Sequence, residues 1–401
     1  MLKNKEKILV AMSGGVDSSV AVALLLDRGY DVTGAFMVNY QSSPFGLRLA
    51  SSGLDEERLQ GEAPSGAETC WLPDYRDALR VAAKLGIPLL KLDFTKEYKD
   101  LVLDNMFKEY EQGRTPNPDV LCNKFIKFGV WLNKARELGF DKLATGHYAR
   151  LGVKENRNWK LETRNDINSF QFPISNFQLF QAKDSNKDQT YFLHQLTQEQ
   201  LQHVMFPLGE YTKDEVRKLA RKFELPTAEK EESMGICFIG EVPMEEFLKT
   251  RIKEKSGSIV TSSGEVLGEH KGLAFYTIGQ RHIGMMNDEL RMQNNGGTRP
   301  LYVVDKNFKK NHLVVGYEDD PLLYKKEILV TDVNWISGHE PDFPVKCKVR
   351  LRHRQPLQRS TINDQRSGVS LKFEEPQKAV TPGQFAVFYK DGECLGGGVI
   401  K

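Results

Sequence analysis

The string SGGVDSS at residues 13–19 constrains the fold more than any other feature of this sequence. An apolar run at residues 7–12 predicts a strand directly before it, and the helical spacing of residues 18–27 predicts a helix directly after it. Gly14 and Gly15 permit a tight turn, the start of the helix offers backbone N–H groups, and the serines add hydroxyl donors. The string therefore predicts a strand–loop–helix unit that holds a phosphate or pyrophosphate.

Strand and helix patterns continue to alternate through residues 1–150. Within this range, further strands are predicted at residues 31–38, 89–94 and 142–148, and further helices at residues 76–85, 98–111 and 123–138. Two more helices are predicted beyond it, at residues 190–204 and 212–223. Such alternation predicts an α/β fold with a doubly wound, mostly parallel, Rossmann-like sheet, whose ligands bind at the carboxyl ends of the strands. From residue 258 onward, short β-rich runs separated by glycine turns predict a C-terminal β-barrel.

Three domains are expected from these patterns. The first domain, which contains the phosphate-binding loop, covers residues 1–240, a small central domain covers residues 241–305, and a C-terminal β-barrel covers residues 306–401. A polar stretch at residues 40–68 interrupts the first domain and is predicted to be a mobile loop near the mouth of the active site. No apolar run reaches the ~20 residues of a membrane span, so we expect no membrane partner. We also expect a monomeric protein in the cytoplasm, or in the mitochondrion if a presequence has been removed.

The overall charge is almost balanced, because 56 Lys and Arg residues face 54 Asp and Glu residues. A polyanionic partner must therefore be held by a local basic patch. Such a patch is predicted at residues 346–354, where every even position is basic. Because side chains alternate along a strand, one face is expected to carry a cationic stripe and the other to pack inward. The stripe consists of Lys346, Lys348, Arg350, Arg352 and Arg354.

The five cysteines are scattered and include no Cys-x-x-Cys pair, which argues against a structural zinc site. Cys347 lies in an alternating strand pattern and Cys394 in a glycine-rich hairpin, so both are predicted to pack in the core. Cys122 is expected in the first turn of a helix capped by Asp119, where the helix dipole and a nearby lysine favour a nucleophilic thiolate. The apolar neighbours of Cys237 favour, by themselves, a buried and inert thiol.

The loop at residues 13–19 lacks the Walker A lysine and the Gly-x-Gly-x-x-Gly spacing of dinucleotide sites. It resembles instead the PP-loop of ATP pyrophosphatases. Enzymes with that loop cleave ATP between its α and β phosphates and adenylate a carbonyl oxygen of the substrate. The resemblance implies ATP and Mg²⁺ as cofactors, with Asp17 as the partner of Mg²⁺.

Seven strings carry a more specific resemblance. They are SGGVDSS, GRTPNPDVLCNKFIKF, ATGHYAR, KDQTYFL, SMGICFIG, YTIGQR and VTPGQF, in this order between residues 13 and 385. Together they resemble the tRNA-specific 2-thiouridylase family over nearly the whole chain. The resemblance implies a sulfurtransferase that replaces the C2 oxygen of the wobble uridine, U34, by sulfur in the tRNAs for Lys, Glu and Gln. ATP would activate this oxygen as an adenylate, and AMP and pyrophosphate would be released.

Individual roles follow from the same resemblance. Cys237 would carry a persulfide delivered by a sulfur-relay protein or a cysteine desulfurase. Cys122 would be the second catalytic thiol, closing a disulfide with Cys237, while Asp119 would assist proton transfer. ATP would be held by Ala11, Met12, Ser13, Gly14, Gly15, Val16, Asp17, Ser18, Met37 and Gly146. The target base would meet Asn117, Pro118 and Asp119, and other parts of the tRNA would meet His147, Lys187, Asp188, Gln189, Arg352, His353 and Gln384.

Three other functions compete with this one. A PP-loop synthetase with a nitrogen nucleophile, such as a lysidine synthetase or an amidotransferase synthetase, would need no cysteine pair. An RNA-binding protein that keeps an inactive nucleotide fold would release no pyrophosphate. The metal-dependent cytosolic tRNA thiolases are disfavoured, because their Cys-x-x-Cys ligand sets do not occur in this sequence.

Overall fold

The computed structural model describes residues 5–39, 71–153, 177–231, 244–281, 283 and 299–401. The predicted fold class is confirmed: a parallel α/β sheet is followed by a small central sheet and a closed C-terminal barrel. The polar stretch predicted to be a mobile loop, at residues 40–68, lies outside the described residues. Within the described part of the chain, no helix combines the length and the apolar character needed to cross a bilayer.

The helices are numbered in chain order. They are α1 (Val16–Asp27), α2 (Leu72–Leu85), α3 (Thr95–Tyr98), α4 (Asp104–Glu111), α5 (Pro118–Leu121), α6 (Leu132–Glu137), α7 (Thr190–Leu193), α8 (Gln198–Gln202), α9 (Lys213–Lys222) and α10 (Met244–Lys249). Two π-helical stretches, Lys99–Leu103 and Cys122–Trp131, join α3 to α4 and α5 to α6. Residues 95–111 and 118–137 therefore each form one continuous helical rod.

The strands are likewise numbered in chain order. They are β1 (Lys7–Ala11), β2 (Asp31–Val38), β3 (Leu89–Asp93), β4 (Lys142–Ala144), β5 (Ala149–Val153), β6 (Phe177–Gln181), β7 (Val204–Met205), β8 (Gly257–Thr261), β9 (Val266–His270), β10 (Tyr302–Asn307), β11 (His312–Gly316), β12 (Tyr324–Trp335), β13 (Val345–Arg350), β14 (Gln358–Gln365), β15 (Gly368–Lys378), β16 (Phe385–Lys390) and β17 (Glu393–Ile400).

The first sheet has the order β3-β2-β1-β4-β7, and all of its neighbouring strands run parallel. Strand β1 is central, and Ile8, Leu9 and Val10 are completely buried, as expected of a strand covered by helices on both faces. The strand order changes direction beside β1, so the loop after β1 opens at the carboxyl edge where such folds bind ligands. This loop contains the predicted nucleotide site.

Two elements differ from the sequence prediction. The helix expected at residues 190–204 is divided into α7 and α8, because Thr197 forms a capping box with Gln200 that starts a new helix. The strand expected at residues 142–148 ends at Ala144, and an irregular turn occupies residues 145–148. Both differences shorten regular elements and leave more irregular backbone at the carboxyl edge of the sheet.

The central sheet has the order β10-β11-β8-β9 and ends with β11 at Gly316. The domain boundary predicted between residues 305 and 306 falls inside β10, so it would separate hydrogen-bonded strands of one sheet. The sheet therefore extends the central domain to Gly316. Both strands of this hairpin are among the short β-rich runs predicted after residue 258, at residues 301–304 and 313–316, but such runs do not show to which sheet they belong.

The barrel is closed by six strands in the order β12-β15-β14-β13-β16-β17, with β17 also pairing with β12. The hairpin β5–β6, which belongs to the first domain in sequence, adds two more strands beside β17. Catalytic domain and barrel thus share one continuous hydrogen-bonded sheet. Cys347 and Cys394 are buried in this region, as predicted.

Candidate active site

The loop between β1 and α1 is held by its own serines. Ser18 Oγ donates to the Gly15 carbonyl oxygen at 3.1 Å and accepts from the Ser13 N–H at 3.2 Å. Gly15 is the N-cap of α1 and supplies no side-chain cap, while Gly14 has a φ of +74° that favours glycine. The first turn of α1 therefore presents backbone N–H groups and hydroxyls with no capping side chain between them and a ligand, a geometry that suits phosphate.

Asp17 is engaged by two neighbours from outside the loop. Its carboxylate accepts from Lys213 Nζ at 2.7 and 2.9 Å and from the Tyr148 hydroxyl at 2.8 Å. The Lys213 side chain is only 12% exposed, so this ion pair is largely shielded from solvent. A divalent cation at Asp17, as predicted for Mg²⁺, would have to share the carboxylate with Lys213 or displace it.

The turn at residues 145–148 connects the nucleotide loop to the helix that carries Cys122. A Cβ atom on Gly146 would lie 2.9 Å from the Ser18 nitrogen, so only glycine permits this close contact with α1. The ring of His147 lies 5.8 Å from the ring of Phe128 on the second rod. Burial and, secondarily, nearby Lys127 keep the pKa of His147 well below its ordinary value, so its ring is neutral at pH 7.

A second lysine, Lys230, contacts the nucleotide loop and the start of α2. Lys230 Nζ donates to the Gly14 carbonyl oxygen at 3.1 Å, to Asp74 at 2.7 Å and to Asp77 at 2.6 Å. A Cβ atom on Gly14 would meet the Asp74 carbonyl oxygen at 2.2 Å, which shows how tightly the loop rests on the start of α2. Lys230 thus joins the nucleotide loop, α2 and the chain that continues towards Cys237.

The rod at residues 118–137 begins two residues earlier than predicted from its capping pattern. Asn117 is the N-cap, and its Oδ1 accepts from the Val120 N–H at 3.2 Å, while Pro118 occupies the first helical position. The prediction that Asp119 caps the helix is therefore wrong: Asp119 lies within the first turn and Cys122 at the start of the second. Asp119 is half-buried, and Cys122 is 1% exposed.

Lys124, expected to favour the Cys122 thiolate, donates to Gln195 Oε1 at 2.9 Å. Burial lowers the pKa of Lys124 below its ordinary value. Cys237 lies outside the described residues, so its predicted approach to Cys122 stays a prediction. The last described residues before it include Lys230, which contacts the nucleotide loop. The first helix after it, α10, places Phe247 with its ring 5.2 Å from that of Phe107 on the first rod.

The remaining predicted nucleotide contacts lie along β1 and β2. Ala11 ends β1, and Met12 and Met37 are buried against the sheet. Asn39, which follows β2, is 2% exposed, and neither polar atom of its amide has a hydrogen-bond partner among the residues that the structure describes. The carboxyl edge of β2 therefore carries an amide that can accept or donate a bond to a bound molecule.

Predicted tRNA contacts on the loop before α7 differ in accessibility. Asp188 is buried, and its carboxylate accepts from Thr190 Oγ1 at 2.9 Å and from Arg350 at 2.9 Å. Gln189 is bound to Tyr148, whose N–H donates to Gln189 Oε1 at 2.9 Å. Lys187 is half-buried on the same loop. Asp188 thus joins this loop to the barrel, and its contact with tRNA stays a prediction.

The cationic stripe predicted at residues 346–354 is incomplete. Lys346 and Lys348 are exposed, but Arg350 is buried in its ion pair with Asp188, so its place on an exposed stripe is wrong. Strand β13 also ends at Arg350, so the alternation of faces does not continue to Arg352 and Arg354. The physical reason is a tertiary contact, because the loop before α7 covers this end of β13.

Arg352 and His353 lie beyond the end of β13. The Arg352 guanidinium donates to the Ala379 carbonyl oxygen at 2.6 Å and to Thr381 Oγ1 at 3.0 Å. The ring of His353 lies 4.6 Å from that of Phe192, and burial together with nearby arginines lowers its pKa to about 4. Both residues are therefore held close to the barrel, and their predicted contacts with tRNA stay predictions.

Gln384 and Asn117, both predicted to contact tRNA or its target base, lie together. Asn117 Nδ2 donates to Gln384 Oε1 at 3.4 Å, and Gln384 Nε2 donates to the carbonyl oxygens of Thr115 and Pro116 at 2.8 and 3.0 Å. Local sequence patterns do not identify these contacts, because 267 positions separate the two side chains. The same holds for Lys213, which no motif marks as a partner of Asp17.

Comparisons with known proteins agree with this geometry. A family model described as the tRNA methyl transferase HUP domain matches residues 6–241. Models described as the tRNA methyl transferase PRC-barrel domain and the aminomethyltransferase beta-barrel domain match residues 245–317 and 325–400. Together they account for all three parts of the fold.

Curated relatives match along the whole chain. The tRNA-specific 2-thiouridylase MnmA of Shouchella clausii is 42% identical over 404 residues, which cover 100% of this chain and 98% of the relative. The protein of the same name from Halalkalibacterium halodurans is 43% identical over 397 residues, covering 98% of this chain and 94% of the relative. With a nucleotide loop, a cysteine at the start of an adjoining helix and relatives of this kind, the chain belongs to the tRNA-specific 2-thiouridylases, a family of tRNA sulfurtransferases.

Proposed function

We propose that this protein uses ATP to convert the C2 carbonyl of the wobble uridine in the tRNAs for Lys, Glu and Gln into a thiocarbonyl. The observation that carries the proposal is the turn at residues 145–148. Gly146 packs against the start of α1 at the nucleotide loop, and the ring of His147 packs against Phe128 on the rod that carries Cys122. These contacts support the proposal that activation by ATP and attack by sulfur take place at one edge of the sheet.

ATP fits the loop between β1 and α1. The first-turn N–H groups of α1 and the hydroxyl of Ser13 would bind its phosphates, while Ser18 holds the loop in shape. The buried amide of Asn39, unpaired among the described residues, can form a hydrogen bond to the nucleotide. Within the described residues, no cluster of three or more His, Cys, Asp or Glu side chains forms a metal site. Mg²⁺ would therefore enter with ATP, bound mainly by phosphates and by Asp17.

The first chemical step requires an electrophile. Attack of the uracil C2 oxygen on the α-phosphorus of ATP would release pyrophosphate and leave an adenylate, which makes C2 reactive. The terminal sulfur of a Cys237 persulfide would then add to C2, and AMP would leave with its bonding electrons. Asp119, in the first turn, would lie beside the target base and hold the proton that moves in this step.

The second step requires another thiol. The Cys122 thiolate would attack the Cys237 sulfur and break the sulfur–sulfur bond, so that the terminal sulfur leaves as the C2 thiocarbonyl. The two cysteines are oxidised to a disulfide, and a cellular thiol reductant would reopen it. This bridge needs the two Cα atoms within about 7 Å in at least one state. Because Cys122 is 1% exposed, the surrounding chain must open before it can react.

The proposed partners follow from this chemistry. The persulfide would come from a sulfur-relay protein or a cysteine desulfurase, and we infer a monomeric enzyme acting in the cytoplasm. The support for tRNA as the substrate is the family membership, together with exposed Lys346 and Lys348 on the barrel.

The test combines product analysis with cysteine variants. Purified enzyme, ATP and unmodified tRNA should give AMP, pyrophosphate and 2-thiouridine when a persulfide donor is present. Cys122→Ser and Cys237→Ser should each abolish 2-thiouridine, measured by nucleoside mass spectrometry, while tRNA-dependent pyrophosphate release continues. Cys347→Ser, at a buried barrel cysteine, is the matched control and should keep thiolation. Formation of ADP and phosphate, or thiolation by both catalytic variants, would contradict the proposal.

A further inference from the structure

Both donors of the Gln384 amide are used within the chain. Its Nε2 donates to the carbonyl oxygens of Thr115 and Pro116, at 2.8 and 3.0 Å, and its Oε1 accepts from Asn117 Nδ2 at 3.4 Å. All three bonds go to consecutive residues of one segment. The two N–H donors of a glutamine amide are thereby engaged, so Gln384 can donate to tRNA only if the bonds to Thr115 and Pro116 break.

The backbone around Gln384 fits closely against the same segment. The Thr115 N–H donates to the Pro382 carbonyl oxygen at 2.9 Å. Gly383 has a φ of +89°, and a Cβ atom there would lie 2.9 Å from Arg114 Cβ and 3.0 Å from the Thr115 nitrogen. Only glycine allows this approach, so the turn at residues 382–384 is shaped to receive residues 114–117.

Asn117 transmits this contact to the catalytic rod. While its Nδ2 donates to Gln384, its Oδ1 accepts from the Val120 N–H at 3.2 Å and thereby starts the helix. Asp119 and Cys122 follow in the first and second turns. The orientation of the Asn117 amide therefore affects both where the rod begins and where these two side chains lie.

The central domain contacts the same segment from another side. Thr277 Oγ1 lies 3.2 Å from Thr115 Oγ1, and Lys306 Nζ donates to the Gly113 carbonyl oxygen at 3.1 Å. Residues 113–117 are thus a junction of all three domains. This junction is therefore one route by which the central domain and the barrel can both affect the position of Cys122.

We propose that Gln384 is a positioning residue for sulfur transfer, through which the C-terminal barrel fixes the segment that leads into Asp119 and Cys122. This inference rests on the proposed function, because only the sulfur-transfer step uses Cys122. Gln384 touches neither reacting group, and its effect passes through the backbone of Thr115 and the amide of Asn117. Removing its hydrogen bonds should slow thiolation without a matching loss of tRNA or ATP binding.

The experiment compares two glutamine-to-methionine substitutions. Gln384→Met keeps the length of the side chain but removes the three hydrogen bonds. Gln377→Met is the matched control, because Gln377 is also buried in the barrel and donates to the Glu375 carbonyl oxygen at 2.8 Å. Four quantities are measured for each variant: the single-turnover thiolation rate at saturating tRNA, the tRNA Kd, tRNA-dependent pyrophosphate release, and the Tm. For the thiolation rate, the enzyme first receives its persulfide from a cysteine desulfurase.

The expected result is a fall of the thiolation rate by about tenfold to 100-fold in Gln384→Met, the range that small misplacements of reacting groups produce. The tRNA Kd and pyrophosphate release should stay within about threefold of wild type, and Gln377→Met should thiolate normally. Gln384→Glu provides a second variant. An ionised carboxylate only accepts hydrogen bonds, so it cannot replace the bonds donated to Thr115 and Pro116, and its thiolation rate at pH 7 should fall as far as that of Gln384→Met.

Three outcomes would overturn the inference. A tRNA Kd that rises as much as kcat/KM falls, at an unchanged saturating rate, would make Gln384 a tRNA contact. Equal losses in the two methionine variants would make its role one of barrel stability alone. Both results contradict the positioning role while leaving the proposed function intact. Wild-type enzyme that releases pyrophosphate but never forms 2-thiouridine would overturn the proposed function, and the inference with it.

Discussion

Asp17 is the residue in the nucleotide loop whose surroundings are most strongly charged. Its carboxylate is 33% exposed and contacts Lys213 and Tyr148, so the interaction is stronger than that of a pair in bulk water. Lys213 begins α9, a helix that packs against α1. The loop is therefore neutralised by a neighbouring helix before any phosphate arrives, and the same ammonium group lies within reach of an incoming anion.

A double substitution can separate the structural part of this pair from its catalytic part. Asp17→Ala should abolish pyrophosphate release and lower the free energy of unfolding by about 1–3 kcal/mol, because it leaves the shielded Lys213 ammonium without its carboxylate. Adding Lys213→Met should recover much of that stability without recovering activity. Urea denaturation and a pyrophosphate assay measure the two effects. Undiminished turnover in Asp17→Ala would contradict the role of Asp17.

The cysteines illustrate how far single residues can be interpreted from their neighbours. Cys347 and Cys394 follow alternating or glycine-rich β patterns and are buried in the barrel, as predicted. Burial raises the pKa of Cys347 to about 12, so it remains a thiol at neutral pH. Cys122 is equally buried but lies at the start of a helix beside Asp119, and only this position distinguishes it. The burial of a cysteine therefore does not by itself indicate whether it reacts.

At the scale of elements, the sequence predicts regular structure best where the signal is local. The run from β1 through α1 is recognised because apolar periodicity and the glycine–serine loop occur within about twenty residues. The start of the second rod is harder to place, since Asn117 and Asp119 are both good caps and Pro118 decides between them by occupying the first helical position. Local patterns thus predict that a helix forms here, but they do not determine the residue at which it begins.

Elements whose environment is set by distant residues are not predictable in this way. The basic alternation of β13 is a genuine strand signal, yet Arg350 is buried because Asp188 of another domain covers it. The convergence of Gln384 and Thr277 on Thr115 is likewise a product of the tertiary fold. A single sequence contains no periodicity that reports contacts across more than a hundred positions, so this part of the site requires the structure.

The segment that ends α7 gives a prediction on pH. His194 is completely buried, its Nδ1 lies 2.7 Å from the Tyr191 carbonyl oxygen, and burial lowers its pKa to about 4. The unfolded chain takes up this proton near the ordinary pKa of 6.5, so it binds more protons than the folded chain between about pH 6.5 and 4. The folded state should therefore lose stability as the pH falls through this window.

The measurement compares the slopes of stability against pH. His194→Phe removes the titrating group, so its free energy of unfolding should fall less steeply from about pH 6.5 to 4.5 than that of wild type, by up to about 1.4 kcal/mol per pH unit. Urea denaturation at several pH values gives these slopes. His339→Phe, at an exposed histidine, serves as the control. Parallel slopes for wild type and His194→Phe would show that another group dominates.

At the scale of the whole molecule, one buried ion pair joins the catalytic domain to the barrel. Arg350 donates to Asp188 at 2.9 Å, and the side chains are 8% and 0% exposed. The guanidinium also lies 5.4 Å from the ring of Tyr389. Because an uncompensated charge in such a place is strongly unfavourable, the pair fixes how the loop before α7 meets the barrel.

A double-mutant cycle tests the strength of this connection. Asp188→Asn and Arg350→Met should each lower the free energy of unfolding by about 3–5 kcal/mol, and the double variant should lose clearly less than their sum. Arg359→Met provides the control, because its pair with Glu374 at 3.7 Å is well exposed and should contribute at most about 1 kcal/mol. Additive losses in the cycle would show that the two side chains act independently.

Strand β17 has a consequence for how the enzyme is made. One of its edges is divided between β12 of the barrel and β6 of the catalytic domain, with Cys394 opposite Leu179. Roughly two hundred positions separate these partners, which corresponds to about 10–40 s of translation at ~5–20 residues per second. A nascent chain can thus shape its nucleotide loop early, whereas the sheet that joins catalytic domain and barrel must wait for β17 to leave the ribosome. Completion of the site is therefore timed by protein synthesis.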